Sequence, residues 1–374
     1  MPRYRDSQLR FWRFNAAGTD SDIQAVVGSF ALAEAAGQTI PPVVADLVEV
    51  AGAVHVIDRS VRRPTLCTGL GSWSRNLHLE LGVREPDVWN QPELHARLSD
   101  LLARLTDDSR TIQFTHRQAP SVAAECVQFL FPSKSDIDSV ALFSGGVDSI
   151  VGFAIARYQG QRPMLMSAQS NRRMLAGRIE VLNALRDDAG IQSVRVGVDL
   201  HLDHAKSIES SQRARGFGFL SLGAALVEQM GVDHLMVFEN GVGAINLPYS
   251  AAQAGAHGTR AMQSETLRRS AALFGLLFQR PIRVSNPNRF RTKAEMCRSV
   301  PKEVHKSLAS ARSCDTAYVT RLEPDSCGAC TSCLHRRHAL IAAGLEMVAT
   351  TPVRFDALAP NAIHLPAAYP LAPC

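Results

Sequence analysis

Long apolar runs are missing from this chain. The longest apolar stretch among its 374 residues, 270–278, is far too short to cross a bilayer. The first ten residues carry basic groups but no apolar core of a signal peptide, so a cytoplasmic location is expected by default. Aromatics are scarce at 6%, no Lys/Arg tract occurs, and the net charge is only +5. Composition therefore gives no argument for nucleic-acid binding and leaves that question open. Cysteine is sparse as well: eight in a chain of this length exclude a disulfide scaffold. There is no internal repeat and no low-complexity segment. No Gly-x4-Gly-Lys-Ser/Thr is present, which excludes a Walker phosphate loop.

What remains is an ordinary globular composition, 46% hydrophobic and 20% charged, and a length that suggests two domains. Residues 1–135 read as an α+β unit, 136–345 as a second unit and 346–374 as a tail. In the first unit Leu9 to Phe14 predicts a strand and Ser21 to Ala35 a helix. Pro41-Pro42 opens another helix through Val56. Asn76 to Val83 alternates strictly, placing Leu77, Leu79 and Leu81 on one strand face. Pro92 to Leu105 carries Leu94, Leu98, Leu101, Leu102 and Leu105 on one helical stripe. Thr111 to Thr115 and Cys126 to Phe131 predict further strands, and 132–136 is polar enough for a linker. No motif here names a chemistry; Gly69-Leu70-Gly71 reads as a loop.

From Ser139 the rhythm becomes strand, helix, strand, helix, the signature of a doubly wound parallel sheet. Strands are expected at 140–143, 163–168, 193–198, 233–238 and 282–284, with helices at 174–185, 217–230 and 267–278 between them. Ligands of such sheets sit beyond the carboxyl ends of the strands. That rule gathers Ser144–Ser149, Ser167–Gln169, Glu239–Gly241 and Asn286–Asn288 around one crevice.

The densest signal in the crevice is Phe143-Ser-Gly-Gly-Val-Asp-Ser149. A buried strand ends at Phe143, Gly145 and Gly146 allow a tight turn without side chains over it, and Asp148-Ser149 open a helix. Several backbone N–H groups then converge on one point, which suits an anion.

Four cysteines are bunched: Cys314, Cys327, Cys330 and Cys333, in the spacing Cys-x12-Cys-x2-Cys-x2-Cys. Two-residue spacings turn successive sulfurs onto one ion, and four thiolates suit a closed tetrahedral Zn²⁺ site. An iron–sulfur cluster and a Cys327/Cys330 redox pair are the rivals. His78-Leu-Glu80 with Cys327-x-x-Cys330 echoes a zinc deaminase, although the two lie far apart in the chain. His201, His204, His335 and His338 read as surface groups, and Cys67, Cys126, Cys297 and Cys374 as isolated packing or tail residues.

Ser144-Gly-Gly-Val-Asp-Ser149 resembles the PP-loop of the ATP-pyrophosphatases, which cleave ATP between the α and β phosphates. Combined with Ser211-Gln-Arg-Ala-Arg-Gly216, Asn240-Gly241, Thr292-Lys-Ala-Glu-Met296 and the four Cys followed by Leu334-His-Arg-Arg337, it resembles the QueC-like (7-cyano-7-deazaguanine synthase) family over 139 to about 345. The resemblance implies a Rossmann-like α/β domain of the adenine nucleotide α-hydrolase type with a C-terminal zinc segment, beside the N-terminal α+β unit. It implies an enzyme that adenylates a carboxylate, small-molecule or protein-terminal, releases pyrophosphate, and delivers the acyl group to ammonia to give an amide or nitrile. ATP, Mg²⁺ and Zn²⁺ are the implied cofactors. Ser144, Asp148, Ser149 and Lys293 are the catalytic candidates. Phe143 to Ser149, Ser167, Arg213, Arg215, Asn240 and Gly241 are the candidates for holding nucleotide, with Arg213, Arg215 and Lys293 as phosphate cations.

Two stretches depart from the family. Ser167-Ala-Gln169-Ser-Asn171 stands where Tyr-Gly-Gln and an acid are usual, and Val242-Gly-Ala-Ile-Asn-Leu-Pro248 replaces the polar residues of a deazaguanine pocket. Glu239-Asn-Gly…Ala-Ile-Asn-Leu-Pro looks more like QueC-like proteins of anti-phage systems, of the QatC type. The first 135 residues would then dock partner proteins of a defence system. The competing expectations are a PP-loop tRNA thiolase or lysidine-type ligase, with Cys297 as the reactive thiol, and a non-catalytic ATP-binding subunit. The acceptor and the oligomeric state are not legible.

Overall fold

The computed structural model describes residues 9–16, 19–27, 40–63, 74–117, 136–169, 172–191, 195–201, 209, 213–246, 260–314, 326–349 and 352–356. The strand expected at Cys126–Phe131, Gly69–Gly71, most of the linker, His204, Cys67, Cys126 and most of the tail lie outside the described residues.

Nine strands form one sheet in the order β4-β3-β1-β2-β7-β6-β5-β8-β9. Five of them carry the doubly wound part: β5 (Ser139–Leu142), β6 (Pro163–Gln169), β7 (Arg195–His201), β8 (His234–Met236) and β9 (Arg283–Ser285), all parallel. β6 and β7 lie on one side of β5, β8 and β9 on the other. The strand order therefore reverses between β5 and β8, and the chain's binding crevice belongs there.

Both faces of these strands are covered, as parallel sheets require. Val140, Met164, Met166, Leu235 and Val237 point into one core, whereas Ala141, Phe143, Leu165, Met236 and Phe238 point into the other. The period of two thus sorts consecutive apolar residues into two cores. The first core is closed by α1 (Pro42–Ser60), α3 (Pro92–Thr106), α6 (Arg215–Met230) and α8 (Ser264–Leu277). The second holds α4 (Val147–Tyr158), α5 (Arg172–Ala189), α9 (Lys293–Arg298), a 3-10 turn (Lys306–Ser310) and α11 (Thr331–Ala342). Among the described residues no helix is long and apolar enough to cross a membrane.

The remaining elements are β1 (Leu9–Ala16), β2 (Thr19–Val27), β3 (Asn76–Val83), α2 (Pro86–Trp89), β4 (Ser109–His116), α7 (Gly241–Ile245), α10 (Lys302–His305) and α12 (Glu346–Ala349). The alternation read in β3 is present, with Leu77, Leu79, Leu81 and Val83 buried, and the five leucines of α3 are all at most 1% exposed. The helix expected from Ser21 is corrected: Thr19–Val27 is a strand. β1 is its immediate antiparallel neighbour, pairing Leu9 with Val26 through Ala16 with Thr19. Ladder pairing overrides a local helical spacing. β2 also pairs antiparallel with β7, at Val26–His201 and Val27–Leu200, so the sheet runs on across the expected boundary at 135/136.

Candidate active site

The Phe143–Ser149 turn sits at the carboxyl end of β5. Gly145 has φ +81°, a conformation that favours glycine, and a Cβ there would come 3.0 Å from Arg178 Cγ. Two serines brace the turn. The Gly145 N–H donates to Ser149 Oγ at 3.1 Å, the Gly146 N–H to Ser144 Oγ at 3.2 Å, and Ser149 Oγ donates to the Gly146 carbonyl at 2.9 Å. Ser144 is exposed and opens the turn to solvent, while Val147, Asp148 and Ser149 are buried at the start of α4. The Arg178 guanidinium, which the sequence reading missed, donates to the Ser144 carbonyl at 3.1 Å.

Across the switch point, Asn240 caps α7 by accepting from the Gly243 N–H at 3.0 Å and donates to Asp148 Oδ2 at 2.7 Å and Glu239 Oε1 at 3.0 Å. Asn286, beyond β9, clamps the same corner: its Nδ2 donates to the Glu239 carbonyl at 2.8 Å and its Oδ1 accepts from the Glu239 N–H at 3.3 Å. Gly241 has no room for a side chain, since a Cβ would stand 2.7 Å from the Arg289 carbonyl oxygen. Lys293 enters from the first turn of α9, which Thr292 and Glu295 close with a reciprocal capping box. Its Nζ lies 2.8 Å from Asp148 Oδ1.

Burial works against the Asp148 charge, but the Lys293 ammonium, then hydrogen bonds, hold its carboxyl below the ordinary range. Burial, and then the Asp148 charge, push the Glu239 carboxyl well above its ordinary value. Burial also opposes the Lys293 charge, yet the Asp148 carboxylate beside it raises it. The direction we adopt is an ionised Asp148–Lys293 pair with a neutral, protonated Glu239. Sequence placed Glu239 in the crevice but gave it no role; its position directly before Asn240-Gly241 was the available signal.

The other expected residues are engaged with protein groups. Ser167 Oγ donates to the Phe143 carbonyl at 2.8 Å, so it ties two strand ends together, and the Phe143 ring packs edge-on against Phe153. Arg213 and Arg215 stand at the start of α6. Arg213 Nη1 donates to Asp107 Oδ2 at 2.7 Å, and the Arg215 guanidinium lies 4.9 Å over the Phe219 ring. At the seam ahead of α6 the Ala214 N–H donates to Asp58 Oδ2 of α1 at 2.9 Å. That carboxylate complements the positive end of the α6 dipole. A cleft of about 300 Å³ lined by Pro42, Glu85, Glu228 and Phe278 lies at the amino edge of the strands, away from this chemistry.

The sulfur atoms of Cys314, Cys327, Cys330 and Cys333 lie within 4.8 Å of one another. The Cys327–Cys333 and Cys314–Cys330 separations are 3.9 and 4.0 Å, close to the ~3.8 Å that a tetrahedral ion with ~2.3 Å bonds to sulfur imposes. N–H groups of Cys327, Ala329, Cys330 and Cys333 point at these sulfurs from 3.2 to 3.4 Å, as they would at thiolates. Gly328 at φ +82° makes the turn. The residues fit zinc, and among the described residues no other group of three or more potential ligands occurs. His78 and Glu80 sit on the exposed face of β3, which removes the deaminase reading.

A doubly wound sheet, an anion-binding turn at its switch point and a four-cysteine centre define a PP-loop nucleotide enzyme of the ATP-pyrophosphatase type. A family model described as "Queuosine biosynthesis protein QueC" matches residues 138–344, and the chain belongs to that family. No curated protein matches it.

Proposed function

We propose that the chain adenylates a carboxylate with ATP, releasing pyrophosphate, and that ammonia or an amine displaces AMP to give an amide; with ammonia, a second adenylation of that amide and loss of AMP would give a nitrile. The observation that carries this reading is the Ser144–Ser149 turn with Asp148 and Lys293 at the switch point of the sheet. A carboxylate is a poor electrophile, and a mixed anhydride with AMP supplies its leaving group. The turn amides and serine hydroxyls would take the departing pyrophosphate, stabilising charge as it develops. Lys293 would add a cation, and Asp148 orients it. Mg²⁺ bound with the nucleotide would neutralise phosphate charge; Asp148, and Glu239 once it gives up its proton, would be the carboxylates to hold it. Zinc at Cys314, Cys327, Cys330 and Cys333 would contribute folding free energy.

The acceptor is a small-molecule or protein-terminal carboxylate, in an anti-phage or 7-deazaguanine-related pathway of the QatC type, with residues 1–135 as a docking surface for partners. The apolar Val242 and Ile245, partly exposed on α7, support an acceptor other than the family's polar base. A thiolase finds no support: burial pushes the Cys297 thiol up to about 12, and Cys297 is 0% exposed.

The test is product analysis with ATP and candidate carboxylates. AMP and pyrophosphate are expected, with Asp148→Ala and Lys293→Ala each about 10²–10³ slower in kcat. Release of ADP and phosphate, or undiminished turnover in both variants, sinks the reading.

A further inference from the structure

The four-cysteine centre and the nucleotide turn are not separate parts. The residue two before the first cysteine touches the turn: the Arg312 N–H donates to the Gly145 carbonyl at 2.9 Å. A Cβ on Gly146 would lie 3.5 Å from Ser313 Oγ and 3.7 Å from the Arg312 carbonyl, so this strand of chain passes in contact with the turn. Cys314 follows at once, 6% exposed, its sulfur accepting the Cys327 N–H at 3.3 Å. The same centre grips the strap from its other end. Cys330 caps α11, and from that helix the buried Arg336 donates to the Leu308 and Ala309 carbonyls at 3.3 and 3.4 Å, just ahead of the strap. On its outer side the Arg312 guanidinium meets Glu180 of α5 at 2.7 Å. Arg178 of the same helix holds the Ser144 carbonyl.

We propose that Arg312-Ser313 is a positioning strap that makes the geometry of the nucleotide turn depend on the metal in the four-cysteine centre. With zinc bound, Cys314 is fixed and the Arg312 N–H holds the Gly145 carbonyl, and with it the positive φ that aims the turn amides. Without zinc the strap is released at Cys314. The centre then acts on nucleotide affinity as well as on folding, and linkage makes the effect mutual: nucleotide raises zinc affinity by the factor by which zinc raises nucleotide affinity. The turn's role as an ATP site rests on the proposed function; the dependence of the turn on the metal does not.

The experiment uses the full chain with and without zinc, followed by hydrogen exchange of peptides covering 143–150 and, as a control, 94–105. Zinc removal is expected to speed exchange at 143–150 at least fivefold and leave 94–105 unchanged. Arg312→Pro deletes the N–H while keeping all four cysteines. It should retain one zinc per chain and bind ATP about fivefold to tenfold more weakly, the worth of one hydrogen bond. Glu180→Gln, which removes only the outer ion pair, should bind ATP as the parent does. Unchanged exchange at 143–150 after zinc loss, or parental ATP affinity in zinc-loaded Arg312→Pro, overturns the proposal. If chelation unfolds the whole chain, 94–105 exchanges too, and the zinc-loaded proline variant decides. A parent chain that binds no ATP refutes the adenylation reading instead, while the exchange comparison still judges the strap.

Discussion

At the scale of single residues the site is a problem of two acids and one cation. Glu239 and Asp148 share Asn240 Nδ2 as a donor, and Lys293 stands on Asp148. One positive charge cannot offset two buried negative ones, so the more poorly paired acid keeps its proton. The sign of the pH effect follows. Glu239 has its folded pKa raised, so its contribution to stability is complete below the ordinary glutamate value. It is lost as pH rises through the raised folded value. Asp148 behaves oppositely, its contribution being present above the ordinary aspartate value and lost on acidification. Glu239→Gln, which keeps the neutral shape, should therefore flatten the alkaline decline in urea-unfolding free energy and leave the acid limb intact. An alkaline limb as steep as the parent's would place the buried proton elsewhere.

At the scale of elements, what aims the turn is the seat of α4. Gly152 faces β8's continuation so closely that a Cβ would stand 2.4 Å from Phe238 Cδ1 and 2.6 Å from its Cβ. Two effects of Gly152→Ala compete. Alanine in a helix gains about 1 kcal/mol over glycine, whereas overpacking a core costs about 1–3 kcal/mol. Phe238 is 6% exposed and is contacted at the base of its side chain, so it cannot swing clear, and the cost should win. The variant should unfold at lower denaturant by about 1 kcal/mol; a more stable variant would mean that α4 is free to lift. Elements such as α4, β3 and α3 were legible because burial acts directly on local spacing: glycines at a turn, alternation at Leu77–Leu81, a leucine stripe. β2 was not legible, since its conformation is decided by the β1 ladder beside it. The turn could be read as a contiguous motif, and the four cysteines from the two-residue spacings of the last three. Arg178, Arg312 and the true partners of Arg213 could not, because each depends on a contact between segments distant in sequence.

At the scale of the whole molecule, the residues before 136 extend the doubly wound sheet. β2 pairs the free edge of β7. The first core counts Val44, Leu47, Val54, Leu98 and Phe114 together with Phe217, Leu220, Ala224 and Val227. The seam is also hydrogen-bonded. Asp58 accepts from the Ala214 N–H, the Arg63 N–H donates to Glu209 at 2.7 Å, and the Glu209 N–H to the Arg59 carbonyl at 3.0 Å. Asp108 binds both Arg63 and Arg75 in a network whose side chains are at most 4% exposed. A chain cut to residues 136–374 would expose the β7 edge and the apolar face of α6. Each leucine or phenylalanine so uncovered forfeits about 1.5–3 kcal/mol, so three or four of them match the 5–15 kcal/mol that holds a typical domain together. An open strand edge beside exposed apolar surface also invites association. The fragment 136–374 should accordingly emerge from size exclusion as aggregate and show no cooperative melting, whereas the full chain melts in one transition. A monomeric fragment that melts cooperatively and still takes up ATP would show that β7 and α6 hold without their covering, and that the first 135 residues were added to a sheet already complete.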